Sequence, residues 1–395
     1  MNIRVVWPCP WFGDYRVPVF ANLNKLLDGN LKVFYALPDP NSRLGVTEST
    51  HKKMESQLGE SAHGLKGKKI EIGDSTSDMA NKSLIIRYQP DLYKRLKKLN
   101  PDIVIAETFG GWSMISIIYA LLHHKKLMMF YERTAYVERN SPWWRTLYRK
   151  IMGLPVKTFL VNGTLTREYL QKRLGFKRQK YVEGLMVADS KGLSESVSSM
   201  SESDKLNLKT ELSLNDGITF VFVGQIVERK GVKELLDAWS KHIEKFSNDN
   251  LLIIGNGILL DTFKTQYKDF SSIHFLGRIE YDNVYRYYAI SDVFVMPTLE
   301  DNWCLVVPEA MACGKPVACS IYNGGHLELI EEGANGFRFD PHKPKDVVSV
   351  LAKFHSANLH DMGNASKRII DNYTPEKAAK KIFKACIDLI MTNEK

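Results

Sequence analysis

The sequence predicts an α/β protein built of two parallel-sheet domains that face a cleft. Three observations predict it. Short apolar runs alternate with amphipathic segments through the first half, and the alternation restarts in the second. A polar, Ser-rich stretch, VADSKGLSESVSSMSESDKLNLKTEL at 187–212, separates the two halves. The glycines and charged residues of the second half gather where strands should end, which is where open parallel sheets hold ligands.

In the first half, strands are expected at Ile3–Trp7, Leu31–Ala36, Ile103–Ala106, Leu127–Tyr131 and Thr158–Val161, with a last short run near Tyr181–Val182. Helices are expected at roughly 17–28, 82–99, 111–123, 142–151 and 164–174. Residues 187–212 read as a surface linker, or as a mobile loop inside one domain. In the second half, strands are expected at 218–223, 251–254, 273–276, 293–296 and 316–319. Helices there fall at 231–246, 258–268, 281–290, 305–313, 325–331 and 344–354. A final helix, about 375–391, follows Pro375, which suits a first helical turn. The expected plan is a domain over 1–190, a second over 191–374 with a linker at 191–212, and a C-terminal helix in 375–395.

The chain has 395 residues, 44% hydrophobic and 25% charged, enough for two domains that each bury a full core. The net charge is +9, from 54 basic and 45 acidic residues. An excess this diffuse suits an anionic membrane surface or anionic substrates, and no Arg/Lys block is dense enough to favour nucleic acid. The five cysteines, at 9, 304, 313, 319 and 386, are odd in number and form no Cys-x-x-Cys pair. They read as reduced thiols of a cytosolic protein rather than a disulfide framework or zinc site. MNIRVVWPCP lacks the apolar core of a signal peptide, and WSMISIIYALL at 112–122 is too short to cross a bilayer. The expectation is a cytoplasmic protein that is soluble or rests on the inner membrane face.

Four pieces of the second half carry chemistry. In FVGQIVERKG, 222–231, a strand runs into Gly224 and the basic pair Arg229–Lys230 stands just before a helix. The glycine allows a tight turn, and cations beside free helix N–H groups suit a diphosphate; solvated charge at a helix start is the other reading. IGNG, 254–257, lacks the third glycine of a dinucleotide fingerprint and reads as a strand-to-helix turn, which argues against a dinucleotide oxidoreductase. In FLGRIEYDNVYRYY, 275–288, the loop after Gly277 can lie against a flat base. The fourth piece, MPTLEDNWCLVVPEAMACGKP at 296–316, sets Glu300, Asp301 and Glu309 around a helix start that Asn302 can cap. A carboxylate in a first turn repels phosphate but accepts hydrogen bonds from a sugar diol; compensation of the helix dipole is the alternative.

Residues 218–340 resemble the donor domain of the retaining glycosyltransferases of family 4, which have the GT-B fold of two Rossmann-like domains. The resemblance rests on Gly224, Lys230 and Gly231, on Leu276–Gly277, on the acid–seven residues–acid block with EAMACGKPV, and on Gly324–Gly325 leading to ELIEEGANGF. The first half matches only in pattern. The resemblance implies that Lys230 holds the donor diphosphate, with Arg229 beside it. It gives Glu309 the ribose hydroxyls, and Asp301 those of the transferred sugar, with Glu300 able to exchange roles with it. The amides of Leu305 and Val306 would meet phosphate or sugar, and Arg278–Ile279 the base. Gly13, in PWFGDYR, matches the family's N-domain glycine loop, and Arg16 adds charge there. The chain departs from the family at Gln225, where Arg is usual, so that Arg229 or Arg16 would substitute. Cys304 replaces a usual Gly and narrows the space beside the sugar. Glu107 stands where many members have His, and Glu132 ends the next strand. The acceptor's proton then passes to the leaving phosphate or to Glu107.

The expected activity is transfer of a sugar from a nucleoside-diphosphate sugar to an acceptor hydroxyl, with retention. A cell-surface polysaccharide pathway of bacterial type is what the resemblance implies. No Asp-x-Asp occurs, so no metal and no cofactor beyond the nucleotide sugar is expected. YVERNSPWWRTLYRK, 136–150, mixes Trp143, Trp144 and Tyr148 with Arg145, Arg149 and Lys150, and YKRLKKL at 93–99 adds charge. Aromatics with cations suit a membrane interface and a lipid-linked acceptor, whereas a basic helix face over buried tryptophans is the plainer reading. The alternative function is a non-catalytic nucleotide-binding partner or sensor, for which Gln225 and Cys304 speak.

Overall fold

The computed structural model describes residues 2–38, 46–73, 79, 81, 83–188 and 190–391. The chain divides into two units, Met1–Val187 with Tyr373–Lys395, and Ala188–Asn372. The central strands of its two parallel sheets are buried on both faces, which is why they read as near-continuous apolar runs rather than alternating ones.

The first unit has strands β1 (Val5–Pro8), β2 (Leu31–Ala36), β3 (Ala62–Leu65), β4 (Lys68–Gly73), β5 (Ser83–Tyr88), β6 (Ile103–Glu107), β7 (Lys126–Tyr131), β8 (Thr158–Val161) and β9 (Lys180–Val182). Its helices are α1 (Val17–Leu26), α2 (Glu48–Leu58), α3 (Leu92–Leu99), α4 (Gly111–Leu122), α5 (Trp143–Gly153) and α6 (Thr164–Glu168), which runs on as a π-turn, Tyr169–Arg173. Seven strands form a parallel sheet in the order β3-β2-β1-β6-β7-β8-β9, with Val5 opposite both Leu31 and Ile103. β4 and β5 form a separate antiparallel pair.

The second unit has helices α7 (Lys191–Ser199) and α8 (Glu202–Glu211) before its sheet. Then come β10 (Thr219–Val223), α9 (Val232–His242), β11 (Asn250–Ile254), α10 (Leu260–Gln266), β12 (Ile273–Gly277), α11 (Tyr281–Ile290) and β13 (Val293–Met296). α12 (Val306–Ala312), β14 (Val317–Ser320), α13 (His326–Leu329), β15 (Gly336–Phe339), α14 (Pro344–Lys353) and α15 (Leu359–Ile370) complete it. The strands lie parallel in the order β12-β11-β10-β13-β14-β15. The last helix, α16 (Pro375–Met391), returns to the first unit. There Ala378, Ala379, Ile382, Cys386 and Leu389 join α1 in the core on one face of the sheet, while α3 and α4 cover the other.

Two expectations are corrected. Residues 191–211 are not a linker but α7 and α8, packed on α11 and α12. Ser201 caps α8 by accepting from the Asp204 N–H, and the Ser194 hydroxyl donates to the Ala312 carbonyl. Leu193 and Leu208 are buried, so few apolar residues suffice once a neighbouring surface is available. The helix expected over 82–99 is α3 alone. Residues 83–88 are β5, because Pro90 biases Gln89 away from helical backbone and separates the two elements. The five cysteines are all free and buried. Among the described residues no helix is long and apolar enough to cross a membrane.

In both sheets the chain changes direction between two adjacent strands. In the first unit it does so at β1 and β6, in the second at β10 and β13. Loops leaving the carboxyl ends of such a pair diverge and open a crevice.

Candidate functional site

In the second unit, Glu228–Lys230 form a single 3₁₀ turn after β10. It ends at Gly231, whose φ is +67° and where a Cβ would stand 2.1 Å from the Pro297 carbonyl oxygen. Only glycine allows this approach to the backbone that leaves β13. The approach is fastened by the Leu299 N–H and Thr298 hydroxyl, which donate to the Arg229 carbonyl at 2.9 and 3.0 Å.

The two strand-end loops then bring four side chains together. Arg229 Nη1 and Lys230 Nζ each donate to Asp301 Oδ2 at 2.8 Å, and Lys230 Nζ lies 3.5 Å from Cys304 Sγ. Asp301 Oδ1 accepts from the Trp303 N–H at 3.1 Å. Burial would raise the Asp301 pKa, but the adjacent Lys230 and Arg229 outweigh it and hold the carboxyl far below the usual range. Burial would lower Lys230, and Asp301 more than restores it. Burial, aided by Asp301, pushes the Cys304 thiol well up, so it stays protonated. Two cations against one carboxylate leave this group of side chains with a net positive charge, facing the crevice of a parallel sheet.

Other expected site residues lie on the strand-end loops of the same unit and at the start of α12. Gly224 is followed by exposed Gln225. The IGNG turn packs on this loop: Gly255 has φ +144°, and a Cβ there would stand 1.7 Å from the Gly224 carbonyl oxygen. Arg278 is exposed and paired with Glu280 at 3.1 Å, beside half-buried Ile279. Glu300 is buried and its backbone carbonyl accepts from Arg229, while the Asp301 carboxylate accepts from both cations. Leu305, Val306 and Glu309 are half-buried at the start of α12.

The expected cap is corrected. Leu305 occupies the N-cap of α12, and Asn302 Oδ1 is buried without a hydrogen-bond partner. Asn323, which sequence reasoning missed, does the fastening. Its Oδ1 accepts from the Cys304 and Gly325 N–H groups, its Nδ2 donates to Cys319 Sγ, and its backbone bridges to Asp301. A Cβ on Gly325 would lie 2.8 Å from the Trp303 ring, so this glycine admits that indole. An Asn before two glycines is a turn signal, and that was the available clue.

In the first unit, the residues expected at a phosphate and at a proton-transfer position occupy each other. Arg16 is 5% exposed, donates to Glu107 Oε1 at 2.7 Å and lies over the Phe130 ring. Glu107 Oε2 accepts from the Trp7 indole at 2.9 Å. Glu132 stands 3.9 Å from Arg16. Arg16 is thus a buried ion-pair member rather than a free cation, and both oxygens of Glu107 have donors. Gly13 precedes this turn with ordinary extended backbone; its lack of a side chain leaves room for the Tyr15 ring.

Among the described residues, one group has ligand atoms close enough to share a metal. His242 and His355 both direct Nε2 at Asp249 Oδ2, at 2.7 and 2.8 Å. They lie at the amino end of β11, at the opposite strand ends from the cluster.

Residues 204–385 match the family model of glycosyl transferases group 1. The chain is 23% identical to the sulfoquinovosyl transferase SQD2 of Arabidopsis thaliana over 310 residues, 76% of this chain and 57% of that one. It is 28% identical to the alpha-monoglucosyldiacylglycerol synthase of Acholeplasma laidlawii over 198 residues, 49% of this chain and 48% of that one. The chain thus spans about half the length of the curated relatives it matches. Its fold superposes on Anabaena Alr3699/HepE, solved in complex with UDP, with a TM-score of 0.73 at 13% identity, covering 98% of this chain and 100% of that one. The chain therefore has the two-unit fold of the GT-B glycosyltransferases, and its residues 204–385 carry the glycosyl transferases group 1 signature.

Proposed function

We propose that the protein is a glycosyltransferase that moves a sugar from a nucleoside-diphosphate sugar to an acceptor hydroxyl, with retention and without a divalent metal. The observation that carries this reading is the Arg229–Lys230–Asp301 cluster between the loops leaving β10 and β13. A leaving diphosphate needs positive charge already in place, because reorganising charge during the reaction raises the barrier. Asp301 holds both cations before the donor arrives. When the diphosphate takes them over, the Asp301 carboxylate is free to accept hydrogen bonds from the sugar's hydroxyls. Glu309 takes the ribose diol, the Leu305 and Val306 amides meet phosphate or sugar, and Arg278–Ile279 lie by the base. Gly224 lets the diphosphate approach the backbone, with Gln225 beside it, and Cys304 limits the room beside the sugar. The proton of the acceptor goes to the leaving phosphate rather than to Glu107, whose oxygens are both engaged.

The acceptor in this reading is a saccharide carried on a membrane lipid at the cytoplasmic face, in the assembly of a cell-surface polysaccharide. In support, one relative is by its name the synthase of a glucosylated diacylglycerol.

A thermal-shift screen with UDP, GDP, ADP and CMP tests the donor site. A nucleotide at 100 times its dissociation constant adds about 2.7 kcal/mol of stability. One nucleotide should stabilise the wild type, and Lys230→Ala and Glu309→Ala should both lose the effect. Absence of any shift at millimolar nucleotide would sink the assignment. The anomeric configuration of the product, read by proton NMR, tests retention, and turnover in EDTA tests independence from metal.

A further inference from the structure

The reading of a membrane-held acceptor requires a surface on this chain that meets lipid, and the first unit has a candidate in α3, α4 and α5. Helix α5 is built inside out. Arg149 points inward, donating to Glu138 Oε2 and to the Tyr169 hydroxyl, while Arg133 holds the other oxygen of Glu138 at 2.8 Å. The Glu138 side chain is fully buried. This ion pair fixes which side of α5 faces the protein, and the outward side is apolar. Trp143 (77% exposed), Leu147, Ile151 and Leu154 (68%) recur every three or four residues, with Trp144 beside them. The plainer sequence reading, tryptophans buried beneath a basic face, is reversed.

Helix α4 repeats the pattern with exposed Met114, Ile118, Leu121 and Leu122. The crossovers β6–α4–β7 and β7–α5–β8 run the same way along a parallel sheet, so right-handedness puts α4 and α5 on one face. On that face α3 packs beside α4 and exposes Lys94, Arg95, Lys97 and Lys98. With Arg149 turned inward, the cations left to this face are those four with Arg145 and Lys150, and the three helices contain not one acidic residue. Aligned large apolar side chains on a soluble surface mark a contact site. Tryptophan with apolar stripes and a basic rim is the composition of a protein face that lies in the headgroup region. A symmetric pairing of two copies through this face would bring two cationic rims together, whereas an anionic bilayer neutralises them.

We propose that the α3–α4–α5 face docks on an anionic lipid bilayer, with the stripe of Trp143, Leu147, Ile151 and Leu154 entering the headgroup layer and the α3 cations contacting lipid phosphates. The amino ends of α4 and α5 are at the carboxyl edge of the sheet, so the docked face would begin beside the loops after β6 and β7.

The test is co-sedimentation of the full chain with vesicles of phosphatidylcholine alone or mixed with phosphatidylglycerol. Wild type should pellet with the mixed vesicles at low salt, detach as salt rises, and show a blue shift of tryptophan emission. The Trp143→Ser/Leu147→Ser/Ile151→Ser variant should bind about tenfold more weakly or worse, with its melting temperature kept, since it changes only exposed side chains. Lys94→Glu/Lys97→Glu should weaken binding without touching the stripe. Wild type that stays in the supernatant, or a triple variant that binds as well as wild type, overturns the proposal. So does light scattering that finds a dimer which the triple variant converts to monomer, since that assigns the stripe to a second copy. Failure of the transferase reading is distinguishable: the protein would pellet with vesicles yet move no sugar from any donor to a water-soluble acceptor.

Discussion

Asp301 shows how much one side chain can organise. It pairs with Arg229 and Lys230 at once, so its loss leaves two cations facing each other in a largely buried place. Breaking a buried ion pair costs about 3–5 kcal/mol, and the partial exposure here reduces that to about 2 kcal/mol for Asp301→Asn. The pH dependence has a definite sign. The folded-state pKa is depressed, so the stabilisation is present above the unfolded value of about 3.9 and is lost progressively as pH falls from there through the depressed folded value. Urea midpoints should drop more steeply between pH 5 and 3 for wild type than for Asp301→Asn. Parallel curves would mean that the ion pairs contribute little to the fold.

At the scale of elements, the strand ends of the second unit depend on backbone meeting backbone. Gly255 and Gly277 both have positive φ, but only Gly255 is pressed against another chain segment; a Cβ on Gly277 meets nothing within 4 Å. The two therefore separate conformational strain from close approach. Gly277→Ala should cost about 1–2 kcal/mol, the left-handed penalty alone. Gly255→Ala should cost about 3 kcal/mol or more, because the Gly224 loop has to move as well. Equal losses in chemical denaturation would show that the contact with Gly224 is not what holds the loop.

On the scale of the whole molecule, the first unit is completed by the last helix. Ile382, Cys386 and Leu389 of α16 lie in the same core as Ile3, Phe20 and Leu160. That core closes only when residues from both ends of the chain meet, a high-contact-order arrangement. Ile382→Ala should destabilise the first unit by about 3 kcal/mol and leave the second unit nearly unchanged. Hydrogen exchange read separately on β1 and β10 checks this. Equal loss of protection in both would show that the two units unfold as one.

Much of this architecture was legible in the residues. β2, β8, β13, α11 and α16 lie on the residues expected of them, because long apolar runs, Pro375 and the flanking turns are local signals. The elements that were missed, α2, β3, β4, β5, α7, α8, β15 and α15, are short or polar, and take their order from neighbours rather than from their own pattern. The site divides in the same way. The sequence by itself determined that glycines, Arg229–Lys230 and the acids around 300–309 would stand at strand ends of a parallel sheet, since turn chemistry and periodicity act over a few residues. Tertiary structure alone decided that Asp301 takes both cations 71 and 72 positions away, that Arg16 is spent on Glu107 across 91, and that α5 turns its tryptophans outward over a buried Glu138–Arg149 pair. Those outcomes follow from which distant charges share a low-dielectric site, and an unpaired charge there costs more than any local preference can offset.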